Sequence, residues 1–220
     1  MHATPAATRS NGGFTFAEQP ELEAPDARIL WRAELDPGAL RVAAFPIDAA
    51  HPDAIDASAL TPWLTIVADA AGEHAVLSDG WRRIRIDIEA GSLAAGHPVI
   101  IHYQLSGLAS AEPRILPLRR LLDLYRRRRF SISLYPHDRR VDRWLLALRV
   151  HDAVLAGATQ REIATVLFGE DAREVSDGTR ADSLRSRVRR LIRDARRLAA
   201  GGYRFLMLAR ADGADPEGEP

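Results

Sequence analysis

Hydrophobic positions along the chain repeat with two different periods, and the change falls near Pro113. Upstream of it, four β-prone runs, Trp63–Ala68, His74–Leu77, Trp81–Glu89 and Val99–Leu105, are separated by Ala71-Gly72, Ser78-Asp79-Gly80 and the stretch from Gly91 to Pro98. In the third run, Ile84, Ile86 and Ile88 alternate with Arg83, Arg85, Asp87 and Glu89, a period of two that predicts a half-buried strand with one charged face. Asp79-Gly80 predicts a hairpin between the second and third runs. Earlier, Ile29–Trp31 and Val42–Phe45 read as two strands joined by a turn at Asp36-Pro37-Gly38, with a proline-rich loop over 46–62.

From Pro113 to about residue 200 the spacing is helical. Leu118, Leu121, Leu122 and Tyr125 share one helix face that ends in the run Arg126–Arg129. Val141, Trp144, Leu145, Leu148 and Leu155 form the apolar face of a longer helix, with Asp138 placed to cap it and Gly157 to stop it. Thr159-Gln160-Arg161-Glu162 has the pattern of a capping box, in which the Thr159 hydroxyl accepts from the Glu162 N–H and the Glu162 carboxylate reaches back. It opens a short helix carrying Ile163, Ala164, Leu167 and Phe168 inward and ending at Gly169. A polar stretch over 170–182 follows. Ser183 or Asp182 then caps a last long helix with Leu184, Val188, Leu191, Ala195 and Leu198 on its stripe, ended by Gly201-Gly202. The closing Tyr203–Leu208 is short and apolar and is expected to pack back on the helices.

These elements predict an α+β protein: a disordered arm at 1–26, a small antiparallel β domain at 27–112, a helical domain of helix-turn-helix type at 113–210, and an acidic disordered tail at 211–220. No run reaches the roughly 18 apolar residues of a membrane span, and no basic-then-apolar leader opens the chain, so a soluble, cytoplasmic protein is expected.

Composition sharpens the picture at one point. The net charge of zero hides a segregation: residues 1–113 carry 7 Arg against 15 acids, residues 114–210 carry 23 Arg against 11, and 211–220 add 4 acids. A half-chain with a net charge of +12 is the footprint of a polyanion binder. All 30 basic residues are Arg and none is Lys, which a GC-rich genome produces by itself, but codon bias does not place the excess in one half. The absence of cysteine removes disulfides, thiolate metal sites and thiol nucleophiles.

The apolar stripe of the last helix leaves Arg185, Arg187, Arg189, Arg190, Arg193, Arg196 and Arg197 to cover its remaining surface, opposed within the helix only by Asp194. Solvated helix faces ordinarily mix signs, because like charges four apart repel. An arginine surface of this kind suits phosphate or the guanine edge, which the planar guanidinium binds bidentately. The expected DNA-contacting set is Thr159, Gln160, Arg161, Arg180, Ser183, Arg185, Ser186, Arg187, Arg189, Arg190, Arg193 and Arg197, with double-stranded DNA as partner. Replacing Arg187 and Arg190 by Ala is expected to weaken duplex binding with the fold intact.

The segments Trp144–Asp152, Leu155–Ala164 and Leu167–Gly169, with Ser183–Leu191 and Gly201–Arg204, resemble the RovC-like type VI secretion transcription factor DNA-binding domain family, over about residues 75 to 208. The resemblance implies a bacterial DNA-binding regulator that oligomerises; a nucleoid-associated homo-oligomer with no cofactor is expected. It says nothing of residues 1–60 or of the operator.

Two rivals stand beside this reading. A metal-dependent nuclease could use Asp87 and Glu89, or a zinc trio of His74, His97 and His102, but Arg83 and Arg85 share the carboxylates' strand face and predict charge pairing. No phosphate-binding glycine loop or nucleophile elbow is present, so an enzyme is not expected. A protein-interaction module, its acidic half set against the basic half of itself or of a neighbour, is the second.

Overall fold

The computed structural model describes residues 21–23, 26–27, 30–138, 140–169 and 178–212, without the side chains of 178–182 and 209–212. Most of the expected arm, residues 170–177 of the expected polar stretch, and the tail from residue 213 lie outside the described residues. The chain divides into two compact units, one running to Pro136 and including residues from Met207 onward, the other spanning His137–Leu206.

The first unit is built on five strands, β1 (Leu40–Pro46), β2 (Leu64–Asp69), β3 (Gly72–Ser78), β4 (Arg83–Gly91) and β5 (Val99–Tyr103), in the order β2-β3-β4-β1-β5. The β3–β4 hairpin forms where Asp79-Gly80 predicts it, with the Asp79 carboxylate accepting from the N–H groups of Trp81 at 3.0 Å and Arg82 at 2.7 Å. Three of the four pairings are antiparallel, while β1 runs parallel to β4 with Leu40 opposite Ile86. That pairing joins residues more than forty apart in sequence, so no local signal announces it. It shifts register between Val42 and Ala43, close to where Gly91 comes against Ala44. Of the strand expected at Ile29–Trp31, Ile29 lies outside the described residues; a 3₁₀ turn at Ala33–Leu35 precedes β1, which pairs with β4 and β5.

One sheet face carries Leu40, Val42, Ala75, Leu77, Ile84, Ile86 and Ile88, and α1 (Leu108–Arg127) packs on it through Leu121 and Leu124. The helix therefore starts ahead of Pro113 and takes Pro113 and Pro117 into its interior, where each lacks an N–H for the helical ladder. Its buried face is centred on Leu121 and Leu124, and Leu122, expected inside, is exposed. Arg128, in the left-handed region at φ 56°, ends it by donating its N–H to the Leu124 carbonyl at 2.8 Å.

The opposite sheet face departs from expectation. Arg85 and Asp87 are each only 7% exposed, so the middle of β4 is covered on both sides and these two charged residues are buried together instead of facing water.

The second unit consists of α2 (Val141–Leu155), α3 (Gln160–Phe168) and α4 (Gly178–Arg197), followed by a wide turn at Leu198–Gly202 and by α5 (Tyr203–Asp212), which leads out of the unit. Ala147 and Val150 of α2, Ile163 of α3, and Val188, Ile192 and Ala195 of α4 make its core. Burying a Val or Ile side chain of this kind contributes about 1.5–3 kcal/mol, so a core this small relies on close packing and well-formed helix ends. Both are present. At the end of α2 the Ala158 N–H reaches the Ala153 carbonyl at 2.9 Å and the Gly157 N–H reaches that of Val154 at 3.1 Å, a Schellman closure with Gly157 at φ 84°.

Three expectations for these helices are corrected. The apolar face assigned to α2 is turned: Leu145, Leu148 and Leu155 are exposed, while the smaller Ala147 and Val150 are buried where the helices approach closely. Its first turn is preceded by Arg140, and Asp138 acts earlier, accepting from the Arg140 backbone N–H at 2.9 Å and from its guanidinium. Finally, α4 is already helical at Gly178, which puts Asp182 and Ser183 inside it and not at its cap.

Candidate nucleic-acid interface

The start of α3 is fixed by its own four residues. Thr159 Oγ1 accepts from the Glu162 N–H at 3.3 Å, while Glu162 Oε2 accepts from the Thr159 N–H at 2.7 Å and from its hydroxyl at 2.8 Å. These bonds, the backbone one first, hold the Glu162 carboxyl below its ordinary pKa. Thr159, expected at the DNA, serves the cap and is exposed, as are Gln160 and Arg161 in the first turn.

Two contacts set α3 against α4. Gln160, its first residue, lines an open groove with Arg189, Ile192, Arg193 and Arg196. Phe168, its last, lies beneath the Arg187 guanidinium at 4.7 Å from the ring centroid. With Ile163 buried between these ends, α3 lies across α4, one end on each shoulder of the longer helix.

Turning 100° per residue from the buried Val188 separates the α4 arginines into groups. Ser186, Arg190, Arg193 and Arg197 form the line farthest from the core, and Ser186, Arg189, Arg190 and Arg193 border one shallow surface. Arg185, Arg189 and Arg196 make the shoulder on the Gln160 side. Arg187 shares the other shoulder with Asp194, whose carboxylate lies 3.5 Å from Arg143 of α2 and 3.9 Å from Arg197. Asp194 is therefore held between two guanidinium groups and offsets little of the charge around it. All seven of these arginines are exposed, as are Ser183 and Ser186; the Arg180 side chain lies outside the described residues.

Spacing alone groups Arg187 with the other arginines of the helix surface and leaves Ile192 off the apolar stripe. Nothing local marks Phe168 as Arg187's partner, whereas Ile192 was legible, being four residues after Val188.

The carboxylates weighed as a metal site are engaged elsewhere. Asp87 accepts from Arg85 and from His74 Nδ1, and Glu89 pairs with Arg41. Among the described residues no three His, Cys, Asp or Glu side chains gather to hold a metal, and no helix is long and apolar enough to cross a membrane.

No curated protein and no solved structure matches the chain. The family comparison does find a match, which takes in α1 to α4 and the start of α5 but leaves the five strands outside it. Residues 107–208 match the model of the family described as T6SS, transcription factor, DNA binding domain, which supports a DNA-binding domain of the transcription-factor kind over that segment.

Proposed function

We propose that this protein is a sequence-specific transcription regulator whose α4 enters the major groove of duplex DNA while α3 lies across it in a helix-turn-helix-type arrangement. The observation that carries the reading is the outward line of α4: Ser186, Arg190, Arg193 and Arg197 point away from the Val188–Ile192–Ala195 core, and the neighbouring acid Asp194 is already neutralised. A helix presenting arginine along its outermost edge offers guanidinium forks to base edges, and its arginine shoulders reach the flanking phosphates. Residues 169–177 between α3 and α4 make the connection longer than the three or four residues usual in this motif. That length alters the turn but not the crossing of the two helices.

Because Arg187 stacks on Phe168, the cleaner test is Arg190→Ala with Arg193→Ala. Duplex binding is expected to fall by at least tenfold in a gel-shift assay, with the thermal midpoint unchanged. Wild-type affinity in that variant would overturn the assignment of α4.

Self-association belongs to the same proposal. Leu145, Leu148 and Leu155 put an apolar stripe on the exposed side of α2, which a homo-oligomer would cover. Sedimentation of Leu148→Asp should show smaller species than the wild type, and an unchanged distribution would remove α2 from the interface.

A further inference from the structure

The run Arg126–Arg129 at the end of α1 is not used by the α4 reading. Two of its members are tied down. Arg127 pairs with Asp123 at 2.8 Å, and Arg128 donates to the Ala59 carbonyl at 2.8 Å with its guanidinium over the Tyr125 ring. Nearby, Arg120 donates to the Leu134 carbonyl at 2.9 Å and stacks on Tyr135. Arg119 and Arg129 are different. Both are exposed and have no partner among the described residues, and both line an open cleft of about 420 Å³ with Arg127, Asp123, Ser131 and Ser133. The one carboxylate there is consumed, since Asp123 also accepts from the Ser131 hydroxyl. Three guanidinium groups against one carboxylate leave the cleft strongly positive.

Attraction to the helix C-terminus explains cations in the last turn, Arg126 and Arg127. It explains neither Arg119, two turns earlier, nor Arg129, which lies beyond the cap. We propose that this cleft is a second contact to duplex DNA, a phosphodiester-backbone site on the first unit separate from the α4 surface.

Two observations choose the partner. The segment matching the DNA-binding family begins at Gly107 and so contains all of α1 and the cleft, although the second compact unit begins only at His137. The cleft's one aromatic, Phe130, is buried with its edge against Trp63 and Tyr135, so no ring is offered for the base stacking that single strands use. Guanidinium groups with serine hydroxyls are instead the donor set that holds phosphate oxygens without reading sequence.

This inference rests on the proposed reading only in that the chain holds duplex DNA, and the test keeps the two apart. Full-length Arg119→Ala/Arg129→Ala is titrated with duplex DNA by fluorescence anisotropy between 50 and 200 mM salt. Loss of two phosphate contacts should flatten the log–log salt slope by about 1.8 and weaken binding to unrelated sequences by similar factors. Arg119→Lys/Arg129→Lys should retain the slope, since a point charge serves phosphate. Neither side chain has a partner among the described residues, so the melting midpoint should stay at the wild-type value. An unchanged slope overturns the proposal, and so does tighter DNA binding in the Ala variant, which would show that the cleft holds an acidic protein segment. If Arg190→Ala/Arg193→Ala leaves binding intact while the cleft variant weakens it, the α4 reading fails and the cleft stands.

Discussion

Arg85 and Asp87 stand two residues apart on one face of β4 and pair in the buried state, with Arg85 Nη2 at 2.9 Å and 3.1 Å from the two carboxylate oxygens and Nε at 3.0 Å from one of them. His74, opposite Asp87 on β3, adds a contact at 2.8 Å through Nδ1 and lies 3.4 Å from Asp69. A buried guanidinium is tolerated only while its counter-charge is in place. Asp87→Ala should therefore lower unfolding free energy by about 3–5 kcal/mol, the cost of leaving such a charge unpaired. Replacing the pair together, Arg85→Met with Asp87→Leu, should recover most of it. Urea denaturation followed by far-UV circular dichroism checks both, and a loss below about 1 kcal/mol in Asp87→Ala would show that water reaches this face.

The capping box of α3 gives a prediction in pH. The Thr159 bonds depress the folded-state pKa of Glu162 from 4.5, so the ionised carboxylate stabilises the fold at pH values above 4.5. That stabilisation is lost as pH falls below 4.5 and through the lower folded-state value. The melting midpoint of Glu162→Gln should thus lie below wild type at pH 7, by a margin that narrows as pH falls below 4.5. A margin that stays constant or widens on acidification would contradict the sign. Thr159→Ala removes the hydroxyl at the cap and should cost about 1 kcal/mol at pH 7.

The contrast between these two sites shows what a sequence makes legible. Thr159 and Glu162 lie three residues apart, so the capping box is complete within one turn and its pattern suffices. The alternation of Ile84, Ile86 and Ile88 with charges likewise announces a strand. The burial of Arg85 and Asp87 escapes that pattern, because it depends on what covers the second sheet face and not on β4 itself. Side-chain size misleads in α2 for a similar reason: hydrophobicity favours Leu145, Leu148 and Leu155, yet close helix approach selects Ala147 and Val150. In α4 the arginine surface is visible from spacing alone, but its division into an outer line, a Gln160 shoulder and a Phe168 shoulder requires α3 in place.

Gly91 links backbone geometry to the parallel β1–β4 pairing. Its φ is +77°, and a Cβ there would lie 1.6 Å from the Ala44 carbonyl oxygen. Both the dihedral and the contact exclude a side chain. Gly91→Ala should destabilise the first unit by well over the about 1 kcal/mol typical of point substitutions. Hydrogen exchange offers a local readout, with faster exchange expected at the β1 and β4 amides. Wild-type protection at those amides would mean that the strands can part at Ala44 without loss.

The division of the α4 arginines predicts which substitutions change sequence preference and which change affinity alone. Arg190 lies on the line farthest from the core and Arg196 on the shoulder beside Gln160; in the proposed docking the first meets base edges and the second the flanking phosphates. Lysine keeps the charge but loses the bidentate fork. Arg190→Lys should therefore lose about 1–3 kcal/mol on a sequence selected by the wild-type protein from random duplexes and little on unrelated DNA. Arg196→Lys should bind both nearly as wild type, while Arg196→Ala should weaken both equally and flatten the salt slope by about 0.9. Anisotropy titrations of each variant against the selected and an unrelated duplex separate these outcomes. Equal losses on the two duplexes for Arg190→Lys would move Arg190 to the phosphates and leave α4 without its central base contact.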